Sequence, residues 1–357
     1  MIQELYMEER ALKAAAVFLM ALMCIVCVSV PLFPRLRTWA EEAREARLAE
    51  AEFAAGQMEM EDLEMREEES AGNNGVTWQL NLRLPEGTDG SMVSIHNDYV
   101  TQTIRIGIPG TDPAYFDSYP ISGSSNHIDT LSYNREGEDG VIEIVTDRVY
   151  ELDTEYDSDY YYFNFLSPQE IYDKVVVIDA GHGGRAAGAT KKGIREKDIN
   201  LAIVLRLREI FEERGGNTGV YFTRTDDSNP TFDQRVQLAN RSGANLFISV
   251  HNNSLGNGRM SATSGTQVMY SVPSDRSQRL AEICLEEVTK KTGSRDRGLV
   301  EGDSIFIIRS SEVPVALIEV GFMTNREELA LLATEDYQRQ AAEGIYSAIQ
   351  RAFAEGY

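Results

Sequence analysis

At 357 residues the chain is long enough for two domains with extensions. Its formal net charge of −23 argues against nucleic acid and against anionic lipid headgroups, since both demand a basic face. The three Cys, at 24, 27 and 284, make no disulfide framework.

Residues 1–13 read as a cytoplasmic N-terminus. Residues 14–34 carry no charge, and at about 1.5 Å per residue they span roughly 30 Å, the thickness of a bilayer core. The run is too long for a typical signal-peptide apolar region. It is expected to be an uncleaved single-pass anchor, with a signal cleaved after Ala40 as the alternative. Cys24 and Cys27 fall inside it and are expected to be inert. Arg10 and Lys13 before it, and Arg35 and Arg37 after it, leave orientation open. Residues 35–75, rich in Glu, Ala and Arg without sustained heptads, read as a charged stalk or spacer.

Residues 76–167 change to a β texture. Trp78, Leu80, Leu82 and Leu84 alternate, as do Thr103–Ile108 and Val141–Val145, with turn residues between. A small all-β sandwich domain is expected. His96 and His127 have no metal-spaced partner and read as surface or turn residues. The tract Tyr150–Phe165 carries five Tyr and two Phe; it can stack sugars, but cross-strand packing explains it more simply.

From Lys174 strands and helices alternate. Strands are expected at 175–178, 219–223, 245–250, 265–270, near 305–308 and at 314–319, and helices at 197–213, 232–242, 275–291 and 335–353. The alternation predicts a three-layer α/β domain over 174–354, with a twisted, mostly parallel sheet. Three of the strands run into potential ligands or acids: Val175–Ile178 into Asp-Ala-Gly-His-Gly-Gly, Leu246–Val250 into His251-Asn-Asn, and Val315–Ile318 into Glu319. Arg195-Glu196-Lys197-Asp198 opens the first helix. Open α/β sheets place chemistry at the carboxyl ends of such strands, so His182, Glu196, His251 and Glu319 can meet at one edge. Two imidazoles and a carboxylate make a zinc site with an open position, and an unligated Glu makes a base. Each residue has a plainer reading. The glycines around His182 can cradle phosphate, though no P-loop or dinucleotide spacing follows. Glu196 suits the helix dipole, His251 can be a core histidine, and Glu319 can sit in an ion pair. Arg309 can orient a substrate carboxylate or oxyanion, or form a surface salt bridge. Arg224, Asp226, Asp227 and Arg235 read as a network that fixes a loop.

These motifs, together with Thr223-Arg-Thr-Asp-Asp, Arg235 with Ala239-Asn240, Ile248-Ser-Val-His-Asn-Asn and Ile318-Glu-Val-Gly-Phe-Met-Thr-Asn, resemble the zinc-dependent N-acetylmuramoyl-L-alanine amidases of the Amidase_3 family. The resemblance runs from about Lys174 to Ile349. Ala180 replaces the family's usual Pro, a change of loop rigidity that touches no ligand. The resemblance implies one zinc bound by His182, Glu196 and His251, with Glu319 as the catalytic carboxylate. It implies peptidoglycan as substrate and a catalytic domain outside the cytoplasm. The β region is similar, in pattern only, to the AMIN-type domains that precede many such amidases. A regulatory protein acting through the stalk or β region is a further expectation. The alternatives are a non-catalytic wall-binding or amidase-regulating protein on the same fold, and a zinc carboxypeptidase, whose usual His-x-x-Glu or His-Glu-x-x-His spacing is missing.

Overall fold

Residues 78–357, apart from 124, 257 and 258, are described by a computed structural model and belong to one compact unit. The expected anchor and stalk, with Cys24 and Cys27, lie outside the described residues. Among the described residues no helix is long and apolar enough to cross a membrane.

Alternating side chains build the first part of the chain. Its elements are β1 (Leu80–Arg83), β2 (Ser94–Asp98), β3 (Thr103–Ile108), the single turn α1 (Tyr115–Ser118), β4 (Ser122–Gly123), β5 (Ile128–Glu136), β6 (Asp139–Thr146), β7 (Glu151–Tyr156) and β8 (Tyr160–Leu166). They form two antiparallel sheets, ordered β4-β1-β8-β7 and β2-β3-β6-β5. Every second residue of β1, β3 and β6 turns inward, so that Leu80, Leu82, Ile104, Ile106, Ile142 and Ile144 share one core. The tyrosine tract packs against itself. Tyr156 and Tyr161 are cross-strand partners and stack at 5.5 Å, and Trp78 stacks on Tyr162. His127 Nδ1 lies 2.8 Å from the Tyr150 hydroxyl, and His96 sits on β2 opposite Arg105.

The helical turn α2 (Pro168–Ile171) leads into an α/β region. Its elements are β9 (Lys174–Ala180), β10 (Thr190–Lys191), β11 (Ile194–Arg195), α3 (Glu196–Arg214), β12 (Thr218–Phe222), α4 (Phe232–Arg241), β13 (Leu246–Asn253), β14 (Thr266–Tyr270), α5 (Asp275–Thr292), β15 (Asp296–Glu301), α6 (Phe306–Arg309), β16 (Val315–Phe322), α7 (Arg326–Leu332) and α8 (Glu335–Ala354). The sheet order is β12-β9-β13-β16-β14-β15. Its pairings are parallel except that β14 runs against β16, so the sheet is mixed. Successive strand residues serve opposite layers. Val176, Ile178, Ile248 and Ile318 meet α3, α5 and α8 on one face. Val175, Val177, Phe247 and Leu317 meet α4 and α6 on the other. Val149 joins this second core, its amide donates to Arg241 O at 3.2 Å, and Arg241 Nη1 donates to Gln102 Oε1. The two-sheet region is therefore docked on the α4 side.

The strand expected near 305–308 is instead the helical turn α6. Ile307 and Ile308 are neighbours and both are buried in the same core. A helical turn permits that, whereas a strand would send them to opposite faces. The edge strand β15, with the polar sequence DRGLVE, was not expected at all.

Candidate metal centre and active site

Register brings the expected residues together. Ser249 pairs with Asp179 and Val250 with Ala180 across β13 and β9, while His251 pairs with Glu319 across β13 and β16. Adjacent strands lie about 4.8 Å apart, so the three strand ends converge on one edge. Both β13 and β16 run past their apolar stretches, to Asn253 and Phe322, which places His251 and Glu319 inside strands. The register shifts between His251 and Asn253, the kind of irregularity that re-aims a side chain.

Beyond β9 the chain turns through Gly181 and His182, then folds back by way of the β10–β11 hairpin to Glu196 at the start of α3. His182 Nε2 lies 3.2 Å from Glu196 Oε1, and His251 Nδ1 lies 3.0 Å from the same oxygen. One donor atom from each residue fits within a 4.8 Å cluster. Glu196 cannot swing away, because Ala189 N donates to its Oε2 at 2.8 Å and Asn252 N to its Oε1 at 3.2 Å. Burial pushes this carboxyl up, but the two imidazoles hold it well below the ordinary carboxylate range, so it stays ionised. A Cβ on Gly181 would collide with the His251 ring, and one on Gly188 with Glu196 and His182. The glycines therefore make room for the cluster. Two imidazole nitrogens and a fixed carboxylate, with His182 partly exposed, can hold a divalent metal and leave a position open.

His182 adopts φ of 62°, a left-handed conformation that is uncommon outside glycine. The Arg235 guanidinium fixes it, donating to His182 O at 2.8 Å and to Ala180 O at 2.9 Å. Arg235 also pairs with Asp179, which takes further hydrogen bonds from Thr223 Oγ1 at 2.6 Å and Ser249 Oγ at 2.5 Å. Burial pushes the Asp179 carboxyl up, yet Arg235 holds it far below its ordinary value. Arg224 donates to Ala180 O and Gly181 O. The buried Lys197 ammonium bridges Gly184 O and Asp227, each at 2.7 Å. Arg224, Asp227 and Arg235 thus do fix the loop that carries His182. Asp226 contributes through its backbone oxygen, which accepts from Arg224 Nη1. Sequence reasoning gave no role to Asp179, Lys197 or Asn200, which donates to Gly181 O. The available signal was Asp179 itself, a carboxylate closing a fully buried strand and therefore in need of a partner. Arg235→Met is expected to destabilise the protein by about 3–5 kcal/mol, because Asp179 is left buried and unpaired. Urea denaturation measures this, and a loss below about 1 kcal/mol would remove the ion pair from the account.

Glu319 is the neighbour that stays outside the cluster. Its Oε2 is shielded from solvent and has no hydrogen-bond partner. Burial raises its pKa to about 7, opposed by His251 and assisted by Glu196. Arg309 makes no hydrogen bond or ion pair to these four groups. Its exposed guanidinium donates to Ser304 O at 3.0 Å and lies over the Phe306 ring. Cys284 is buried in α5, its thiol pushed up to about 12 by desolvation, which removes it as a nucleophile.

A mixed α/β sheet that gathers two imidazoles, a fixed carboxylate and a separate unpaired acid at one edge defines a candidate mononuclear metallohydrolase. Comparison with known proteins narrows the class. Residues 176–351 match the family Amidase_3, N-acetylmuramoyl-L-alanine amidase. A Bacillus subtilis protein named YqiI is 37% identical over 183 residues, covering 51% of this chain and 85% of that protein. The germination-specific N-acetylmuramoyl-L-alanine amidase of the same organism is 31% identical, covering 51% of this chain and 81% of the amidase. Among solved structures, an N-acetylmuramoyl-L-alanine amidase from Clostridium difficile 630 is 33% identical with a TM-score of 0.49, covering 52% of this chain and 98% of that one. The chain belongs to the N-acetylmuramoyl-L-alanine amidase family.

Proposed function

We propose that the chain is a zinc-dependent hydrolase that cleaves the amide between the lactyl carbonyl of N-acetylmuramic acid and L-alanine in peptidoglycan. The observation that carries this reading is the cluster of His182, Glu196 and His251 within 4.8 Å, beside the unpartnered acid of Glu319, in a chain of this family. The donor set suits zinc. Zinc held there supplies Lewis acidity at neutral pH.

The chain's own residues supply the rest. Glu196 stays anionic and fixed between two backbone amides. The Arg235 and Arg224 guanidinium groups hold the loop that presents His182. Glu319 takes a proton from the attacking water and returns it to the departing L-alanyl amine. Burial, which raises its pKa in the metal-free chain, favours its taking up that proton. Arg309, whose guanidinium donates to Ser304 O, is assigned to substrate or oxyanion support. Digestion of purified peptidoglycan by the full chain, followed by mass analysis, should release peptides that begin with L-alanine and leave intact glycan. Products cut between sugars or within the stem peptide would overturn the reading.

The location follows from the substrate and from residues 14–34. In this reading these residues anchor the chain in the membrane, the residues beyond about 35 lie outside the cytoplasm, and the stalk and the two-sheet region, AMIN-like in pattern, set how far the catalytic region reaches into the wall. Protease added to intact, wall-stripped cells should degrade the catalytic region. Full protection until lysis would mean a cytoplasmic enzyme. Recovery in the medium of a chain starting near Glu41 would mean a cleaved signal, and would sink the anchor alone.

A further inference from the structure

A cleft of about 520 Å³ runs along the free edge of β12, between that strand and the turn that follows β2. This volume is in the range of sites that take small ligands, about 300–1,000 Å³. One wall is His96 to Val100, and the other is Val220 to Arg224 continuing to Ser228. Glu151 fixes the two walls relative to each other. Its carboxylate accepts from the Tyr99 hydroxyl at 2.7 Å and from the Tyr221 hydroxyl at 2.6 Å, and the two rings meet edge to face at 5.0 Å.

The lining selects a ligand class. Asp98 and Asp226 are accepting carboxylates, and Tyr99, Tyr172 and Phe222 supply ring surface. Besides His96, the basic side chain there is Arg224, whose guanidinium already donates to the carbonyls of Ala180, Gly181, Lys197 and Asp226. Anionic ligands therefore find acid where they need a cation. A neutral saccharide finds what it needs: acceptors for its hydroxyls, which make the stronger charge-assisted bonds to carboxylates, and apolar surface for its C–H faces.

The cleft shares a wall with the candidate centre. Asp226 and Ser228 line the cleft. Between them, Asp227 O and Oδ1 accept from Gly184 N at 2.8 and 3.1 Å, and Ser228 O lies where a Cβ on Gly183 would go. One loop thus separates the cleft from the segment that carries His182. In peptidoglycan the scissile amide hangs from a sugar within a continuous strand, so a strand engaged at the centre must continue across neighbouring surface. Resting on the amidase reading, we propose that this cleft is a glycan subsite, which grips the N-acetylated sugars flanking the muramoyl unit being cleaved.

The probe is a β-1,4-linked tetramer of N-acetylglucosamine, neutral and free of any scissile amide, titrated into the full chain. Saturable binding is expected at about 1 mM or tighter, weakened about ten-fold by Asp98→Asn or Asp226→Asn, the effect of losing one charged hydrogen bond. Asn keeps the carbonyl oxygen that serves each turn, through Val100 N and Ser228 N, so unchanged melting separates lost binding from lost folding. Should either variant fail to fold, His96→Ala, on an exposed strand position, reports on the same wall and should also weaken binding. Absence of saturable binding, or binding indifferent to all three substitutions, overturns the proposal. So does Asp98-dependent binding of the free stem peptide in place of the sugar. Release of L-alanyl peptides from whole peptidoglycan is scored on the same preparation. Sugar binding without peptide release would sink the amidase reading and leave the subsite, and the reverse result would sink the subsite alone.

Discussion

Glu319→Gln is expected to slow release of L-alanyl peptides by roughly 10²–10⁴-fold, the usual contribution of a positioned general acid or base, while zinc content stays at that of the unmodified chain. Glutamine preserves the shape of a side chain whose neighbours are His251 on the adjacent strand and Gln267 on the other side. It removes only the ability to accept and return a proton. Near wild-type digestion by this variant would show that Glu319 is not the base.

The same substitution has a second signature in metal-free protein. Burial raises the Glu319 carboxyl from 4.5 to about 7, so the folded state binds this proton more tightly than the unfolded state does. The stability associated with it is complete below pH 4.5 and is lost as pH rises through 7. Glutamine has no proton to lose. Metal-free Glu319→Gln should therefore gain on metal-free wild type as pH rises from 5 to 8, with a ceiling of about 3 kcal/mol. Thermal melting across that range checks the sign. A difference that does not change with pH would show that Glu319 is not buried against its charge.

That the four candidate residues meet was legible because each ends or follows a short apolar run or opens an amphipathic helix, and because parallel strands deliver their carboxyl ends to one edge. The alternating strands of the first region were legible for a different reason, since period-two burial is written directly in Leu80, Leu82 and Ile104 to Ile108. What sequence could not supply was direction and distance. The run at 265–270 has no polarity of its own, so nothing in it shows that β14 turns against β16. β15 is an edge strand whose residues are mostly exposed or half-buried, and such a strand needs no apolar pattern. At 305–308 four apolar residues are too few to carry a period, and only packing against the sheet decides for a helical turn. Lys197 reads as a surface lysine until Asp227, 30 residues on, is brought to it. Arg309, marked by sequence for substrate or oxyanion support, is placed on an exposed turn where its guanidinium donates to Ser304 O.

His182→Ala and His251→Ala are each expected to reduce tightly held zinc from about one per chain to a small fraction, and hydrolysis with it. The remaining donors cannot rearrange to compensate. Glu196 is pinned by Ala189 N and Asn252 N. His251 is set within β13, and His182 is carried by the turn after β9 that Arg235 and Arg224 hold in place. At His182 the backbone sits at φ of 62°, a conformation in which His, Asn and Asp are enriched among non-glycine residues, so alanine adds a small backbone cost separate from the lost imidazole. His182→Asn distinguishes the two causes, since asparagine tolerates that backbone but replaces the imidazole donor. If ligation is what matters, His182→Asn loses zinc as fully as His182→Ala while melting closer to wild type. A readout independent of activity is the rise in melting temperature on adding zinc. At about 1,000 times the dissociation constant the metal should stabilise the unmodified chain by about 4 kcal/mol, and this rise should vanish in all three variants. Full zinc content in both alanine variants would show that the metal, if held, is held elsewhere.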